Sequence, residues 1–215
     1  VVNIFKKHQN IDIISMEDVE VRKGNEIWDW YPLPHDKINV PEDGYVAHIF
    51  PGTGAAIRKH VYDKIGGFWE FGFEELDFCT RAIVAGFRIR YFPNIRVLHY
   101  STPTERNSSE RWIRISKQFV RYNLKYFPPL AAAWRFCVIF ISQLLMAIIS
   151  RINLFAILEG MLSMCAVALQ TFRSERCVVS KELIPQITLG TSLTKMQLRF
   201  FKHIIFNKIK RLFQR

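Results

Sequence analysis

"KIGGFWEFGFEELDFCTRAIVAGF", residues 64–87, places three carboxylates, Glu74, Glu75 and Asp77, within four positions of a stretch rich in aromatic residues and glycine. The apolar residues of segment 74–85 recur at helical spacing: Leu76, Cys79, Ala82 and Ile83. This spacing predicts a helix that ends at Gly86. Acidic residues at a helix start are stabilised by the helix dipole, and this bland interpretation by itself explains the three carboxylates.

The residues around the carboxylates favour a second interpretation, a binding pocket. Glycines at 66, 67 and 72 let the backbone approach a ligand closely. Aromatic side chains at 68, 69, 71 and 73 offer flat apolar surfaces of the kind on which sugar rings stack. A carboxylate in such a pocket acquires a raised pKa and can act as a general base.

The residues on either side predict short strands and one further helix. Residues 11–15 and 45–50 form short apolar or alternating runs, and two more strands are predicted at 87–93 and 94–100. A helix at 59–65 is expected to end at Gly66-Gly67. The first half of the chain is therefore predicted to be α/β.

The second half changes in composition. Residues 111–127 predict a basic, aromatic, amphipathic helix that stops at Pro128-Pro129. Residues 136–150 carry no charge, and residues 152–172 carry only Glu159. Fifteen residues fall short of the roughly 20 that a helix needs to cross a bilayer. A buried hairpin, a membrane-embedded hairpin and two helices lying in the membrane interface all remain open.

Charge and cysteine spacing narrow the class of protein. The net charge is +11, and Arg173 to Arg215 hold ten Lys and Arg against two Glu. Such a tail seeks nucleic acid or an anionic membrane. The chain shows no nucleic-acid-binding motif, and helical spacing of apolar residues between 198 and 209 favours a membrane-surface helix. The four cysteines form no zinc or disulfide pattern, which indicates reduced thiols in the cytosol.

One ordered set of residues resembles a known family. It comprises Gly52 and Gly54, Arg58, Gly66-Gly67-Phe68, Glu74-Glu75-Leu76-Asp77, Arg81, Gly86-Phe87, Pro93 and His99. This order is similar to the acceptor-side half of inverting family-two glycosyltransferases, closest to bacterial rhamnosyltransferase-like members. Residues 111–129 are similar to the Arg-Asn helix that follows the catalytic domain in such enzymes. The resemblance covers about 75 residues, from Gly52 to Pro129.

The resemblance implies roles for the acidic residues. Glu75 matches the catalytic base, which deprotonates an acceptor hydroxyl as that oxygen attacks the anomeric carbon. Glu74 and Asp77 would orient the acceptor or the base. His99 matches a histidine that helps to bind a divalent metal, Mg²⁺ or Mn²⁺, on the donor diphosphate.

The resemblance also implies binding residues. Gly67, Phe68, Trp69 and Arg81 would contact the acceptor, and Arg58 would contact phosphate. For both arginines, bracing the carboxylates is the alternative role. The sequence has Phe68-Trp69-Glu70 where the family has Phe-Asp-Glu, and Glu74-Glu75 where it has Glu-Asp. The choice of base between Glu74 and Glu75 therefore stays open.

The nucleotide-binding half of the family is not found. No Asp-x-Asp follows an apolar strand, and Asp18 with Glu20 is the nearest approach to that motif. The chain also opens without Met or a signal peptide, as if it began within a longer protein. The expected fold is a partial GT-A domain, α/β and Rossmann-like, that lacks its N-terminal nucleotide-binding half and is followed by a mostly helical, membrane-associated region.

Four regions are expected along the chain: the C-terminal part of the catalytic domain (1–109), a basic linker helix (110–129), an apolar hairpin (130–172) and a basic tail (173–215). The expected function is transfer of a sugar from a nucleotide-sugar donor to a glycan or lipid-linked acceptor of a cell-surface polysaccharide. The expected place is the cytoplasmic face of the membrane, against an anionic surface and without nucleic acid. The alternatives are a non-enzymatic membrane-binding module and an inactive remnant.

Overall fold

The computed structural model describes residues 1–22, 25–29, 36–100 and 108–188. The chain divides into two compact units, Val1–Arg106 and Asn107–Arg215. The first unit is mixed α/β and the second is helical in its described part.

The first unit is built around a mixed β-sheet. Its strands lie in the order β2-β1-β5-β3, and β4 pairs with the first residues of β1. Strands β1 and β5 are parallel, whereas β2, β3 and β4 pair antiparallel to their neighbours. The elements are α1 (Val2–Lys7), β1 (Ile13–Arg22), β2 (Asn25–Asp29), β3 (Tyr45–Ala47), β4 (Ala55–Ile57), α2 (Lys59–Ile65), α3 (Glu74–Val84) and β5 (Ile89–His99).

Strand β5 corrects the prediction of two separate strands at 87–93 and 94–100. It is continuous, and its register against β1 moves from Met16 opposite Phe92 to Glu17 opposite Arg96. Three residues, 93–95, therefore bulge from the ladder. Proline lacks the N–H that a ladder requires, so a bulge accommodates Pro93 without ending the strand.

The two helices predicted around the glycines are confirmed. Helix α2 ends at Gly66, whose φ of 76° is left-handed backbone that glycine adopts without strain. An aromatic cluster joins α2 to α3. Phe68 stacks on Phe78 with ring centroids 4.5 Å apart, and Tyr62 lies 5.2 Å from Phe78. Phe50 adds an edge contact to Phe78 at 6.0 Å. Aromatic pairs of this kind add about 0.5–1.5 kcal/mol each beyond area burial.

The described part of the second unit contains three long helices: α4 (Ser108–Tyr126), α5 (Pro129–Ile149) and α6 (Leu154–Gln170). A π-helical turn, Thr171–Glu175, and a short helix, α7 (Ile184–Ile187), follow them. The end of α4 before Pro128 is as predicted. Helix α5 has 21 residues, because it begins at Pro129 rather than after Arg135. Proline suits the first turn of a helix, where its missing N–H has no partner to lose.

Helix α4 packs against both α5 and α6. The Ser116 hydroxyl donates to Gln143 Oε1 at 3.0 Å, and Arg135 Nη1 donates to Asn123 Oδ1 at 2.8 Å. Gly160 admits the Trp112 ring, because a Cβ at that position would lie 2.2 Å from Trp112 Cζ3. The amphipathic helix predicted between residues 198 and 209 lies outside the described residues.

Candidate active site

The start of α3 is shaped by two residues with left-handed backbone. Gly72 has a φ of 109° and Phe73 a φ of 63°. Left-handed backbone costs a non-glycine residue about 1 kcal/mol or more, and strain of this kind concentrates at functional sites. These two residues form the turn that leads into α3, and Glu74 and Glu75 follow in the first turn of the helix.

The Glu75 carboxylate lies against the loop that precedes β4. A Cβ at Gly52 would lie 2.3 Å from Glu75 Oε1, so only glycine leaves room for the carboxylate in this position. The backbone amides of Gly52 and of Glu75 itself donate hydrogen bonds to the carboxylate. Partial burial nonetheless raises the pKa of Glu75 above its ordinary range, and the neighbouring charge of Glu74 adds to the rise.

Glu74 makes a different contact. Its Oε2 accepts a hydrogen bond from the Gly72 amide, within the turn that precedes α3. Adjacent positions on a helix point about 100° apart. The two carboxylates therefore face different segments: Glu74 faces the turn before α3, and Glu75 faces the loop before β4. Only Glu75 of the two combines a raised pKa with the close approach of Gly52.

Asp77 is held by an ion pair. Its side chain is 1% exposed, and its Oδ2 accepts from Arg81 Nε at 2.7 Å. The Arg81 guanidinium also donates to the carbonyl of Ile65 and, at 2.8 Å, to that of Gly67. This geometry favours bracing of the Gly66-Gly67 turn by Asp77 and Arg81 over direct contact with an acceptor.

Exposed ring surface remains beside the glycine turn. Phe68 is 43% exposed although its ring stacks on Phe78, and Phe71 is 44% exposed. Trp69 is half-buried. Phe68 and Phe71 therefore present the flat apolar surface that the sequence predicts for sugar stacking.

Arg58 has structural partners. Its Nε donates to the carbonyl of Ile11 at 2.7 Å, and its Nη2 donates to that of Phe5 at 2.6 Å. The guanidinium also lies 4.5 Å above the Phe5 ring. These contacts tie helix α1 to the sheet, and they favour a structural role for Arg58 over the phosphate binding that the sequence predicts.

His99 is the last residue of β5 and lies near Asp18 of β1. Its Nδ1 is 3.8 Å from Asp18 Oδ2, and its side chain is 37% exposed. Oδ1 of Asp18 is buried and has no hydrogen-bond partner among the residues that the structure describes. Within the described ranges, no group of three His, Cys, Asp or Glu side chains is placed to hold a metal ion.

The sequence does not predict two contacts of the candidate site residues, that of Asp18 with His99 and that of Gly52 with Glu75. Asp18 lies 81 positions before His99, and only the parallel register of β1 and β5 brings them together. Gly52 was noted as part of a Gly-x-Gly strand, but not as the residue facing Glu75. The signal was present, since paired glycines mark places where a backbone approaches another group closely.

Replacing Gly52 with Ala is expected to displace the Glu75 carboxylate, since the new Cβ would overlap Oε1. The backbone at Gly52 is one that alanine adopts, so the melting temperature should hardly change. If Glu75 is the base, sugar transfer should fall by about 10–100-fold, because small misplacements of a reacting group are costly. Thr53→Ala, in the same loop, is the control. Unchanged transfer by Gly52→Ala would show that the Glu75 position is not critical.

The site thus combines a half-buried carboxylate of raised pKa, a second acid beside it and exposed aromatic rings nearby. The ion pair of Asp77 with Arg81 braces the Gly66-Gly67 turn. Comparisons with protein-family models, with curated proteins and with solved structures found no match for this chain.

Proposed function

We propose that the Val1–Arg106 unit is the acceptor side of an inverting glycosyltransferase of the GT-A type. Glu75 takes the proton of an acceptor hydroxyl while that oxygen bonds to the anomeric carbon of a nucleotide sugar. The bond from that carbon to the diphosphate oxygen breaks, and the nucleoside diphosphate leaves with the electron pair. The acceptor is a glycan or a lipid-linked sugar.

The observation that carries this proposal is the setting of Glu75. A base that works near neutral pH needs a pKa above that of an ordinary carboxyl group, and partial burial supplies it. The amides of Gly52 and Glu75 fix the direction of the carboxylate. A residue that served only as a helix cap would need neither the glycine opposite nor the burial.

The neighbouring residues take supporting roles in this proposal. Phe68 and Phe71 form the wall on which the acceptor ring stacks, the half-buried Trp69 borders it, and Gly67 allows close approach of the acceptor. Glu74 accepts a hydrogen bond from an acceptor hydroxyl through the oxygen that does not bind Gly72. Asp77 acts through Arg81, by holding the glycine turn in place.

The proposal places the divalent metal at Asp18 and His99. Asp18 presents a buried oxygen without a hydrogen-bond partner among the described residues, next to the His99 imidazole. Carboxylate and imidazole are suitable ligands for Mn²⁺, and carboxylate also suits Mg²⁺. Asp18 and His99 would hold the metal, which neutralises charge on the leaving diphosphate.

The raised pKa of Glu75 gives a test that needs no substrate. When the pKa of a carboxyl group is higher in the folded than in the unfolded state, the folded protein loses stability as the pH rises from the unfolded pKa through the folded pKa. Glu75→Gln should therefore melt at a higher temperature than the wild type at neutral pH, and this difference should shrink below pH 4.5, the ordinary value. The measurement is thermal unfolding across that pH range.

Glu70→Gln is the control for this measurement, because it makes the same chemical change at an exposed position. Any change in its melting temperature should be smaller than that of Glu75→Gln and should vary less with pH. A Glu75→Gln profile parallel to that of Glu70→Gln would contradict the raised pKa of Glu75.

One observation favours a second candidate function, a non-enzymatic membrane-binding module. By length and composition, helix α5 and residues 154–175 could each cross a bilayer, and only 33% and 22% of the 18-residue apolar stretch in each is buried. In either case we propose that the protein lies on the cytoplasmic face of the membrane.

One assay distinguishes the two functions. The protein, expressed with every residue that its gene encodes, is incubated with a panel of labelled nucleotide sugars and with membrane lipid acceptors. Metal-dependent transfer is expected; vesicle binding without transfer from any donor would favour the module.

A further inference from the structure

Helices α5 and α6 each expose one continuous apolar face. The apolar face of α5 consists of Leu130, Trp134, Cys137, Ile141, Leu145 and Ile148. The apolar face of α6 consists of Phe155, Leu158, Leu162, Cys165 and Leu169, and Phe172 of the π-helical turn extends it. Successive members are three or four positions apart, so each set lies along one side of its helix. Contiguous apolar surface of this extent marks an interaction site.

The opposite sides of the same helices are covered. The buried residues of α5, among them Ile139, Gln143 and Met146, lie about half a turn from its apolar face. Gln143 accepts a hydrogen bond from Ser116 of α4, and Gly160 of α6 receives Trp112 of α4. Helix α4 therefore covers one side of the α5–α6 layer, and the apolar faces lie on the other side.

The charges of α4 decide how a membrane can meet these faces. Ser116 and Asn123 contact α5, and the cations Lys117 and Arg121 lie between them on α4. Arg121 also pairs with Glu175 at 2.6 Å, just beyond α6. A bilayer crossed by α5 and α6 would enclose this stretch of α4 as well. Lys and Arg in the hydrocarbon are costly, so the contacts of α4 oppose a crossing.

The net charge of the second unit indicates which kind of partner binds the apolar faces. Residues 108–188 hold ten Lys and Arg against four Glu. Arg151 is exposed at the turn between α5 and α6, and Arg173 is exposed where the apolar face of α6 ends. Cations at both ends of an apolar surface suit anionic headgroups around an apolar interior. They oppose docking of a second copy, which would bring like charges together.

We propose that the two apolar faces seat this protein on an anionic bilayer, with α5 and α6 lying in the plane of the membrane and not crossing it. The inference deepens the membrane attachment proposed above and is independent of sugar transfer. The protein can bind the membrane through its apolar faces and fail to transfer sugar to a soluble acceptor. It can equally transfer sugar to a soluble acceptor and fail to bind the membrane. The two proposals therefore fail separately.

The position of the α5–α6 turn distinguishes a seat from a crossing. The full chain, with Cys137, Cys165 and Cys177 replaced by Ala, carries Ser150→Cys beside Arg151 and is added to sealed phosphatidylcholine–phosphatidylglycerol vesicles. A membrane-impermeant maleimide in the outer solution should label the Ser150→Cys thiol as fully as it does after the vesicles are opened. Labelling only after opening would place the turn inside and overturn the proposal.

Tryptophan fluorescence checks that the apolar faces enter the lipid. Trp134 is 65% exposed on the apolar face of α5. Vesicles with brominated acyl chains should quench the wild type more than Trp134→Phe. Equal quenching of the two proteins would contradict insertion. Insertion would also be contradicted if the protein formed dimers without lipid and did not bind the vesicles.

A matched pair of variants tests the composition of the face. Leu162→Glu adds a charge at a side chain that is 71% exposed on the apolar face of α6. It should weaken partitioning into the anionic vesicles by about tenfold or more, since it removes a leucine from lipid. Ser180→Glu adds the same charge at an exposed position outside both faces and should change partitioning far less. Equal binding by the two variants would overturn the proposal.

Discussion

Replacing Glu75 with Gln is expected to lower the rate of sugar transfer by about 10²–10⁴-fold, the usual contribution of a general base. Glutamine keeps the size and the hydrogen-bond acceptor of the side chain, so the amides of Gly52 and residue 75 retain a partner. It cannot take a proton from the acceptor hydroxyl. The measurement is the initial rate of transfer, alongside calorimetric binding of the nucleotide-sugar donor, which should not change.

Glu74→Gln is the matched comparison, because it removes the adjacent charge and keeps its hydrogen bond from Gly72. It should lower transfer much less than Glu75→Gln. It should also shift the acidic limb of the rate profile to lower pH, since the charge of Glu74 contributes to the raised pKa of Glu75. A larger loss for Glu74→Gln than for Glu75→Gln would make Glu74 the base.

Replacing Asp77 with Ala is expected to destabilise the first unit by about 3 kcal/mol, as loss of one partner of a buried ion pair does. Asp77 is 1% exposed, and Arg81 would be left with no carboxylate at Nε. The same arginine holds the carbonyls of Ile65 and Gly67, so the turn should loosen as well. Denaturant unfolding followed by circular dichroism measures the change.

Asp63→Ala provides the control for this prediction. Asp63 pairs with Lys59 at the same i, i+4 spacing on α2, but both side chains are largely exposed. Exposed pairs contribute about 0.3–0.5 kcal/mol, so this variant should remain close to the wild type. If Asp77→Ala were no more destabilising than Asp63→Ala, Asp77 would not be a brace, and direct contact with the acceptor would regain support.

The elements predicted from the sequence with most success depend on local signals. Helix α2 has the bounds that Gly66-Gly67 predicts, and α3 begins at Glu74 as expected. Helix α4 ends before the two prolines. In each case the residues that determine where the helix begins or ends lie within one turn of that end. A short stretch of sequence therefore contains the whole signal.

Features that depend on distant contacts were predicted less well. The sequence divides β5 at Pro93, but pairing with β1 along most of its length keeps it one strand. Arg58 lies more than 45 positions from Phe5 and Ile11, whose carbonyls bind it. Spacing alone cannot show whether a positive charge faces backbone carbonyls or a phosphate.

The candidate site divides in the same way. The acidic cluster, the glycine turn and the aromatic rings are consecutive in the sequence and were identified from it. The contact between Gly52 and Glu75 and the pairing of Asp18 with His99 join residues that the fold brings together. The contact with Gly52 is the reason for proposing Glu75 rather than Glu74 as the base.

The central claim is that Glu75 activates an acceptor hydroxyl for direct displacement at the anomeric carbon. Its most direct test is the anomeric configuration of the product, determined by proton NMR for the wild type and Glu75→Gln, each with every residue that the gene encodes. The expected product has a configuration opposite to that of the donor and is formed by the wild type but almost not at all by Glu75→Gln. A product that retains the donor configuration, or one formed equally by both proteins, would contradict it.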